Sequence, residues 1–463
     1  MSIPYPCVWG DGALFAFSGC DGVATHAQGL VASTQAEPVG LLIRRPGKAR
    51  CWFDLTASQI TPHLVTSDAI QLGTPTGEIV LAMADQQTLV GMLPVGLRPH
   101  LEVEPASGWH LALVTVERDG QQRLALASGS TEVEARARAE IALAQDVART
   151  VRQRLAFLER CPVPPANWPE AWRRTFYKAC TVLKVNTYSP EGPISTRWTT
   201  PDRWPHQFMW LWDSAFHALG WRHLDPLLAW EALEALFVYQ REDGFLVFFN
   251  GPQHSHDITQ PPLLAWVVWT LHQGQPQNDR LQRLYPALGR YLRWDLQNRW
   301  GDDSGLLSWH VEGDRYHRSV ESGMDNSPRF DDPGPWLSPD FSAYAAAEMA
   351  YLAHIARALG RVDEARRWQV QREQFAQAIN LCLWDEESGF YYDRRINGGE
   401  LQPIKAASGF VPLWAGIASA AQAARLVAHL QDPQVFGAPF PVPTVALDDP
   451  SHSADMWRGA TWI

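Results

Sequence analysis

Along the first 128 residues, short apolar, β-branched and aromatic runs alternate with Gly, Pro and Asp breaks: LFAFS, PVGLLIR, CWFDLT, EIVLAM, TLVGML, LEVEP, WHLALVTVE and RLALAS. Runs this short, with no helical period between them, predict antiparallel strands, and their number predicts a β-sandwich over residues 1–130. Near Thr131 the period changes. A capping box at Thr131 and Glu134, followed by apolar positions Ile141, Val147, Val151, Leu155 and Leu158, predicts one long helix as far as Cys161. Pro162, Pro164 and Pro165 stop it, so residues 131–165 read as a linker helix.

From Trp168 onward the pattern is helical, with long polar connections rich in aromatic residues. Ser338 as N-cap, Pro339 in the first turn, the stripe Phe341, Tyr344, Tyr351, Leu352, Ile355 and Leu359, and Gly360 as stop define one helix. A second runs from Val362 to Trp384 on Ala365, Trp368, Phe375, Ile379 and Cys382. Related tags recur between helices: Asp243 to Phe245 as DGF, Trp300 to Leu306 as WGDDSGL, and Trp384 to Phe390 as WDEESGF. Helix pairs joined by similar Gly-containing turns predict a toroid or solenoid, in which each pair buries its face against its neighbours.

A chain of 463 residues exceeds one ordinary core, so more than one domain is expected. Its 39 basic and 50 acidic residues leave a net charge of -11, which argues against nucleic acid or an anionic membrane surface as partner. The 22 tryptophans change the picture more. Many stand beside Asp, Arg, Gln or His, a mixture that suits a sugar, whose C–H faces stack on rings while its hydroxyls need polar partners. The same rings also serve as filling for a large helical core. Six scattered cysteines, Cys7, Cys20, Cys51, Cys161, Cys180 and Cys382, contain no CxxC pair and read as reduced thiols. The start MSIPYPCVWGDG lacks the regions of a secretory signal, and no run reaches the roughly 18 apolar residues of a membrane span. A cytoplasmic protein is the expectation.

The densest chemistry lies in Glu321 to Asp332, ESGMDNSPRFDD, where four carboxylates and Arg329 share a turn-rich stretch between helical segments. A carboxylate held in such a turn can do acid and base work on a polar substrate, although Asp325 or Asn326 could equally cap local backbone. Three further stretches concentrate aromatic and polar residues at turns or helix starts. Trp210 and Asp213 in RWPHQFMWLWDSAFH would share one helical face, with Phe216 and His217 on the next turn. Gln260 in DITQPPLLAW sits where a double proline would start a helix. The stretch DMWRGATWI holds Trp457, Arg458 and Trp462. His254, His256 and Asp257 offer a weak metal spacing, and we assign no metal. No P-loop, dinucleotide fingerprint or GxSxG elbow is present.

At these residues the chain resembles glycoside hydrolase family 63, in particular its small bacterial members acting on glucosylglycerate or mannosylglycerate. The matching motifs are WLWDSAFHALG, DGFL, TQPPLLAW, ESGMDNSPRFDD and WRGATW, spread over residues 168–463, and the β-rich first part is similar to a domain many relatives carry. The resemblance implies an (α/α)6 barrel over residues 166–463 and inverting hydrolysis of an α-glucoside or α-mannoside, with water as nucleophile and no cofactor. It implies that Asp325 is the general acid, and that Trp210, Asp213, Gln260, Trp457 and Trp462 line the sugar subsite, with Arg329 as a partner in the acid's loop. The family's general base is a glutamate in a segment after WRGATW, which this sequence does not reach. The barrel is therefore expected to be incomplete at its C-terminus, and a chain ending at Ile463 to hydrolyse little. A non-catalytic carbohydrate-binding or scaffold protein is the second reading.

Overall fold

The alternating runs of the first part become strands β1 (Leu14–Ala16), β2 (Val31–Gln35), β3 (Gly40–Arg44), β4 (Arg50–Asp54), β5 (Thr61–Val65), β6 (Ala69–Thr74), β7 (Gly77–Asp85), β8 (Thr88–Leu93), β9 (His100–Val103), β10 (His110–Arg118) and β11 (Gln121–Gly129). The computed structural model describes residues 14–35, 39–44, 50–56, 59–104, 106–118, 120–252, 256–312 and 317–459. The strands form two sheets, ordered β1-β2-β3-β4-β9 and β10-β11-β8-β7-β6-β5. Neighbouring strands pair antiparallel, as short connections without crossover helices require.

The expected linker helix is two helices, α1 (Glu132–Ala142) and α2 (Val147–Arg160). Asp146 interrupts it: its side chain accepts from the Arg149 backbone N–H and starts a new N-terminus. The break shifts the helical phase, so Ile141, expected in the apolar stripe, is 74% exposed while Ala139, Ala142 and Val147 pack on Val80, Val90, Ala125 and Ala127 of the six-stranded sheet. These helices thus cover a sheet face. The Thr131 cap forms, accepting from Glu134 N–H at 3.1 Å, but the Glu134 carboxylate turns to Ser130 N–H at 2.8 Å, one residue earlier than a capping box would place it.

Two units divide the chain, Met1–Ala235 and Leu236–Ile463. The first also holds α3 (Glu170–Val185), α4 (Leu211–Trp221) and α5 (Pro226–Leu236), at whose end the division falls. One lysine braces this unit. Lys184 of α3 is 1% exposed, and its ammonium reaches Asp68 Oδ2 at 2.6 Å, Asp21 Oδ2 at 2.7 Å and the carbonyl of Arg154 in α2 at 3.4 Å. Burial alone would push its pKa down, but the two carboxylates raise it further, so it stays charged.

The second unit contains α6 (Leu264–Gly274), α7 (Asn278–Asn298), α8 (Pro339–Ala358), α9 (Val362–Cys382), the short α10 (Val411–Trp414) and α11 (Ala420–Gln431). Both predicted helices, α8 and α9, are present, with Trp384 lying beyond α9 in the following turn. Every residue of α8 from Pro339 to Met349 is buried, and it packs against α6, α7 and α9; its alanines let those neighbours approach on all sides. The recurring tags are one structural device. After α9, Trp384–Asp385 pairs with Phe390–Tyr391, and after α7, Trp300 bridges Leu307. In each, an aspartate accepts from a serine backbone N–H, Asp385 from Ser388 and Asp302 from Ser304, and a glycine takes the left-handed turn, φ 70° at Gly389 and 77° at Gly305. The cysteines among the described residues are free thiols, and no helix among the described residues is long and apolar enough to cross a membrane.

Removing one member of a buried ionic cluster strands the others without water. Lys184→Met is therefore expected to lower the unfolding free energy by about 3–5 kcal/mol. Arg136→Ala, which breaks an exposed i,i+4 pair with Glu140, is expected to cost under about 0.5 kcal/mol. Urea titration of the two variants checks the contrast, and equal midpoints would remove the brace assigned to Lys184.

Candidate active site

The stretch Glu321 to Asp332 folds as two single 3-10 turns, Val320–Ser322 and Pro328–Phe330, joined through Asp325. Its first anchor is Glu321, fully buried and gripped by the Arg299 guanidinium, with Nε to Oε2 at 2.8 Å and Nη2 to Oε1 at 2.7 Å. The same carboxylate accepts from His310 N–H at 2.9 Å and Thr259 N–H at 3.3 Å. One buried charge thus ties the end of α7, the segment after the first hairpin, and the turn before α6 to the loop. One helical turn before Arg299, Asp295 is fully buried, and neither of its oxygens has a hydrogen-bond partner among the described residues; burial first, and then the charge of Glu321, pushes its pKa well up.

The second anchor is Arg329, whose guanidinium is spread over two buried carboxylates. Nη1 and Nη2 reach Asp340 at 2.8 and 2.9 Å, while Nε and Nη2 reach Asp393 at 2.6 and 2.8 Å. Asp340 lies in the first turn of α8, where the helix favours an anion, and also accepts from Trp309 Nε1 at 3.0 Å. Arg329, expected as a partner in the acid's loop of the sugar site, is 1% exposed with its guanidinium donating to Asp340 and Asp393, so it holds the loop down.

Between these anchors Asp325 is half-buried, and its carbonyl accepts from Arg318 N–H at 2.9 Å and Ser319 N–H at 3.1 Å. The next residue, Asn326, bonds to the distant Asp455–Arg458 stretch. Its Oδ1 accepts from Trp457 N–H at 2.9 Å, its Nδ2 donates to Asp455 Oδ2 at 3.4 Å, and its carbonyl accepts from Arg458 Nη1 at 3.1 Å. Arg458 also grips Asp331 in bidentate fashion, at 2.8 and 2.7 Å, and Arg318 binds the same carboxylate. Trp457 is thereby held beside the Asp325 loop, and its indole N–H has no acceptor among the described residues.

Gln260 is buried, and its carbonyl accepts from Tyr291 OH at 2.8 Å; Thr259, its neighbour, bonds the same hydroxyl at 2.8 Å. The double proline does not begin the helix as expected. Leu263 is the N-cap of α6, leaving Gln260 in irregular backbone just ahead of it. Glu348 of α8 caps α6 instead, accepting from Ala265 N–H at 2.7 Å and Trp266 N–H at 2.9 Å. Glu312, missed by the sequence reading, lies near the loop: loss of solvent around its carboxyl, and then the charges of Glu321 and Asp325, push it up to about 7 although the residue as a whole is exposed.

In the first unit, Trp210 is the extended N-cap of α4, so it precedes the helix that Asp213 joins, and its indole N–H donates to the His206 carbonyl at 3.2 Å. Burial pushes Asp213 up to about 6 and His217, one turn on, down to about 4. Among the described residues neither Asp213 Oδ2 nor His217 Nδ1 has a hydrogen-bond partner, so both are open to a polar ligand. His217 is the i+4 neighbour of Asp213 on α4. Trp462 and His254 lie outside the described residues. Thus the second unit brings Asp325, Trp457 and the Gln260 turn around one loop.

Residues 205–463, more than half of the chain, match the family model described as the mannosylglycerate hydrolase MGH1-like glycoside hydrolase domain. The mannosylglycerate hydrolase of Thermus thermophilus is 29% identical over 371 residues, covering 62% of this chain and 84% of that protein. A crystal structure of the GH63 mannosylglycerate hydrolase from Thermus thermophilus, in complex with Tris and D-glycerate, gives a TM-score of 0.50 at 26% identity over 57% of this chain and 80% of that one. A bacterial glucoamylase complexed with acarbose is similar in fold alone, with a TM-score of 0.60 at 12% identity over 98% of this chain and 85% of its own.

The cap on α6 makes stability depend on pH. Burial, outweighing the backbone N–H groups of Ala265, Trp266 and Leu264 that favour the anion, raises Glu348 from 4.5 to about 7. The folded state therefore binds this proton more tightly than the unfolded chain does. The stabilisation is complete below about pH 4.5 and is lost as pH rises to about 7, a term on the order of 3 kcal/mol. Glu348→Gln should flatten the fall in unfolding free energy between pH 5 and pH 8. An unchanged slope in urea melts across that window would remove Glu348 as its source.

Proposed function

This chain belongs to the mannosylglycerate hydrolase MGH1-like glycoside hydrolase family, and on that premise we propose that it hydrolyses an α-glucoside or α-mannoside, a glycerate conjugate or a small oligosaccharide, with inversion at the anomeric carbon. The fold we assign to residues 166–463 is the (α/α)6 barrel, for which the paired helices α6–α7 and α8–α9, each pair closed by the same hairpin, are the supporting feature. The observation that carries the functional reading is the Asp325 loop: a half-buried carboxylate fixed between two buried ionic anchors, with Trp457 held beside it.

Inversion needs a protonated carboxyl to deliver a proton to the leaving oxygen and a second carboxylate to activate water on the opposite face. We assign the acid to Asp325. Its backbone carbonyl accepts from Arg318 N–H and Ser319 N–H, which fixes where the loop presents the carboxyl. Glu321 and Asp331, each bound to arginine, serve the loop and do not activate water. Trp457 offers a ring for the C–H face of a sugar and an unspent indole N–H for a hydroxyl. Gln260, Trp210 and Asp213 are assigned to sugar binding by their match to the family's motifs, as is Trp462. We place the protein in the cytoplasm, with a small carbohydrate as its partner.

In an active preparation, Asp325→Asn is expected to lower turnover of an unactivated glycoside by about 10² to 10⁴, because the amide keeps the shape and cannot donate the proton. An aryl glycoside whose leaving group is a weak base needs little protonation and should lose far less. Steady-state rates on both substrates, with the product anomer followed by NMR, separate an acid from a residue that only binds. Equal losses on the two would take the acid role away from Asp325.

A further inference from the structure

We propose that Asn326 is a positioning residue of this site, setting Trp457 against the Asp325 loop by reading Trp457 N–H with one end of its amide and the Asp455 carboxylate with the other. The inference rests on the reading of Asp325 and Trp457 as sugar-site residues. Asn326 is 2% exposed, so its polar atoms must find partners inside the protein. Trp457 N–H is a fixed donor, which obliges Oδ1 to face it at 2.9 Å and turns Nδ2 toward Asp455 Oδ2 at 3.4 Å. The amide thus matches a donor and an acceptor two residues apart, and no other uncharged side chain of its size does so. Met456, between them, takes φ 44°, a left-handed conformation that side-chain-bearing residues rarely adopt, so this turn depends on grips to either side.

A second tie makes the role separable from folding. Arg458 clamps Asp331 and the Asn326 carbonyl, so the Asp455–Arg458 stretch stays on the loop when the amide is altered, and only the setting of Trp457 changes. Asp455 is exposed, and its side chain is the acceptor that faces Nδ2.

The test exchanges the two partners. Asn326→Asp keeps an acceptor for Trp457 N–H but opposes Asp455 with a like charge. It should weaken binding of methyl α-D-mannoside or methyl α-D-glucoside, measured by calorimetry on the whole chain, by about five- to tenfold. Amide hydrogen exchange of the Asp455–Gly459 stretch should quicken in the same variant. Adding Asp455→Asn restores a donor facing an acceptor and should return the affinity to within about twofold of the parent, with the slow exchange regained. Failure of the exchanged pair to recover either quantity, or an Asn326→Asp variant indistinguishable from the parent, would overturn the proposal while leaving the sugar site standing. A parent chain that binds neither glycoside would instead overturn the sugar-site reading, and the positioning role with it.

Discussion

Charge inside a helical interior must be neutralised where it stands, and the loop from Glu321 to Asp332 is shaped by that requirement. It carries a carboxylate into the core at one end and a guanidinium at the other, and each finds its counter-charge on a different element: Glu321 on Arg299 at the end of α7, Arg329 on Asp340 of α8 and on Asp393 beyond α9. Such pairs contribute little net stability, because desolvation offsets much of the attraction, but a wrong register would leave a bare ion in a dry site. The loop has one arrangement in which both ends are satisfied. Asp325, near the middle, stands where that arrangement puts it.

The first unit uses the same physics with one residue. Lys184 reaches two carboxylates and a carbonyl from segments that are distant in sequence, so its position fixes how α3 meets the β-rich part. It is one of only four lysines in the chain, the others being Lys48, Lys178 and Lys405. An ammonium is a compact point charge that suits two converging carboxylates, whereas Arg329, which must bind two carboxylates along its edges, needs a planar fork.

Much of this architecture was legible in the sequence, because hydrophobic period and turn chemistry are local properties. The change near Thr131, the helices that became α8 and α9, and the repeated tags were readable for that reason; the two longer tags are hairpins, each built on an aspartate, a serine and a glycine. What escaped notice was set by partners far away. Nothing near Ile141 announces that Asp146 will start a new helix and turn Ile141 outward. Arg329 sits in the acid's own loop, and only Asp340 and Asp393 show that it faces inward. The double proline before α6 resembled a helix start until Glu348, from another helix, proved to be the cap.

The contacts that complete the loop reach far along the chain. Asn326 meets Asp455 across 129 residues, and Arg329 meets Asp393 across 64. During synthesis at about 5–20 residues per second, roughly six to twenty-five seconds separate the emergence of Asn326 from that of Asp455. Over that interval Glu321 can already find Arg299, which is made before it, while Arg329 waits first for Asp340 and then for Asp393. Of these contacts, those of Arg329 with Asp393 become possible before those of Asn326 with the Asp455–Arg458 stretch, so the loop's inward anchors can be in place before Trp457 is set against it.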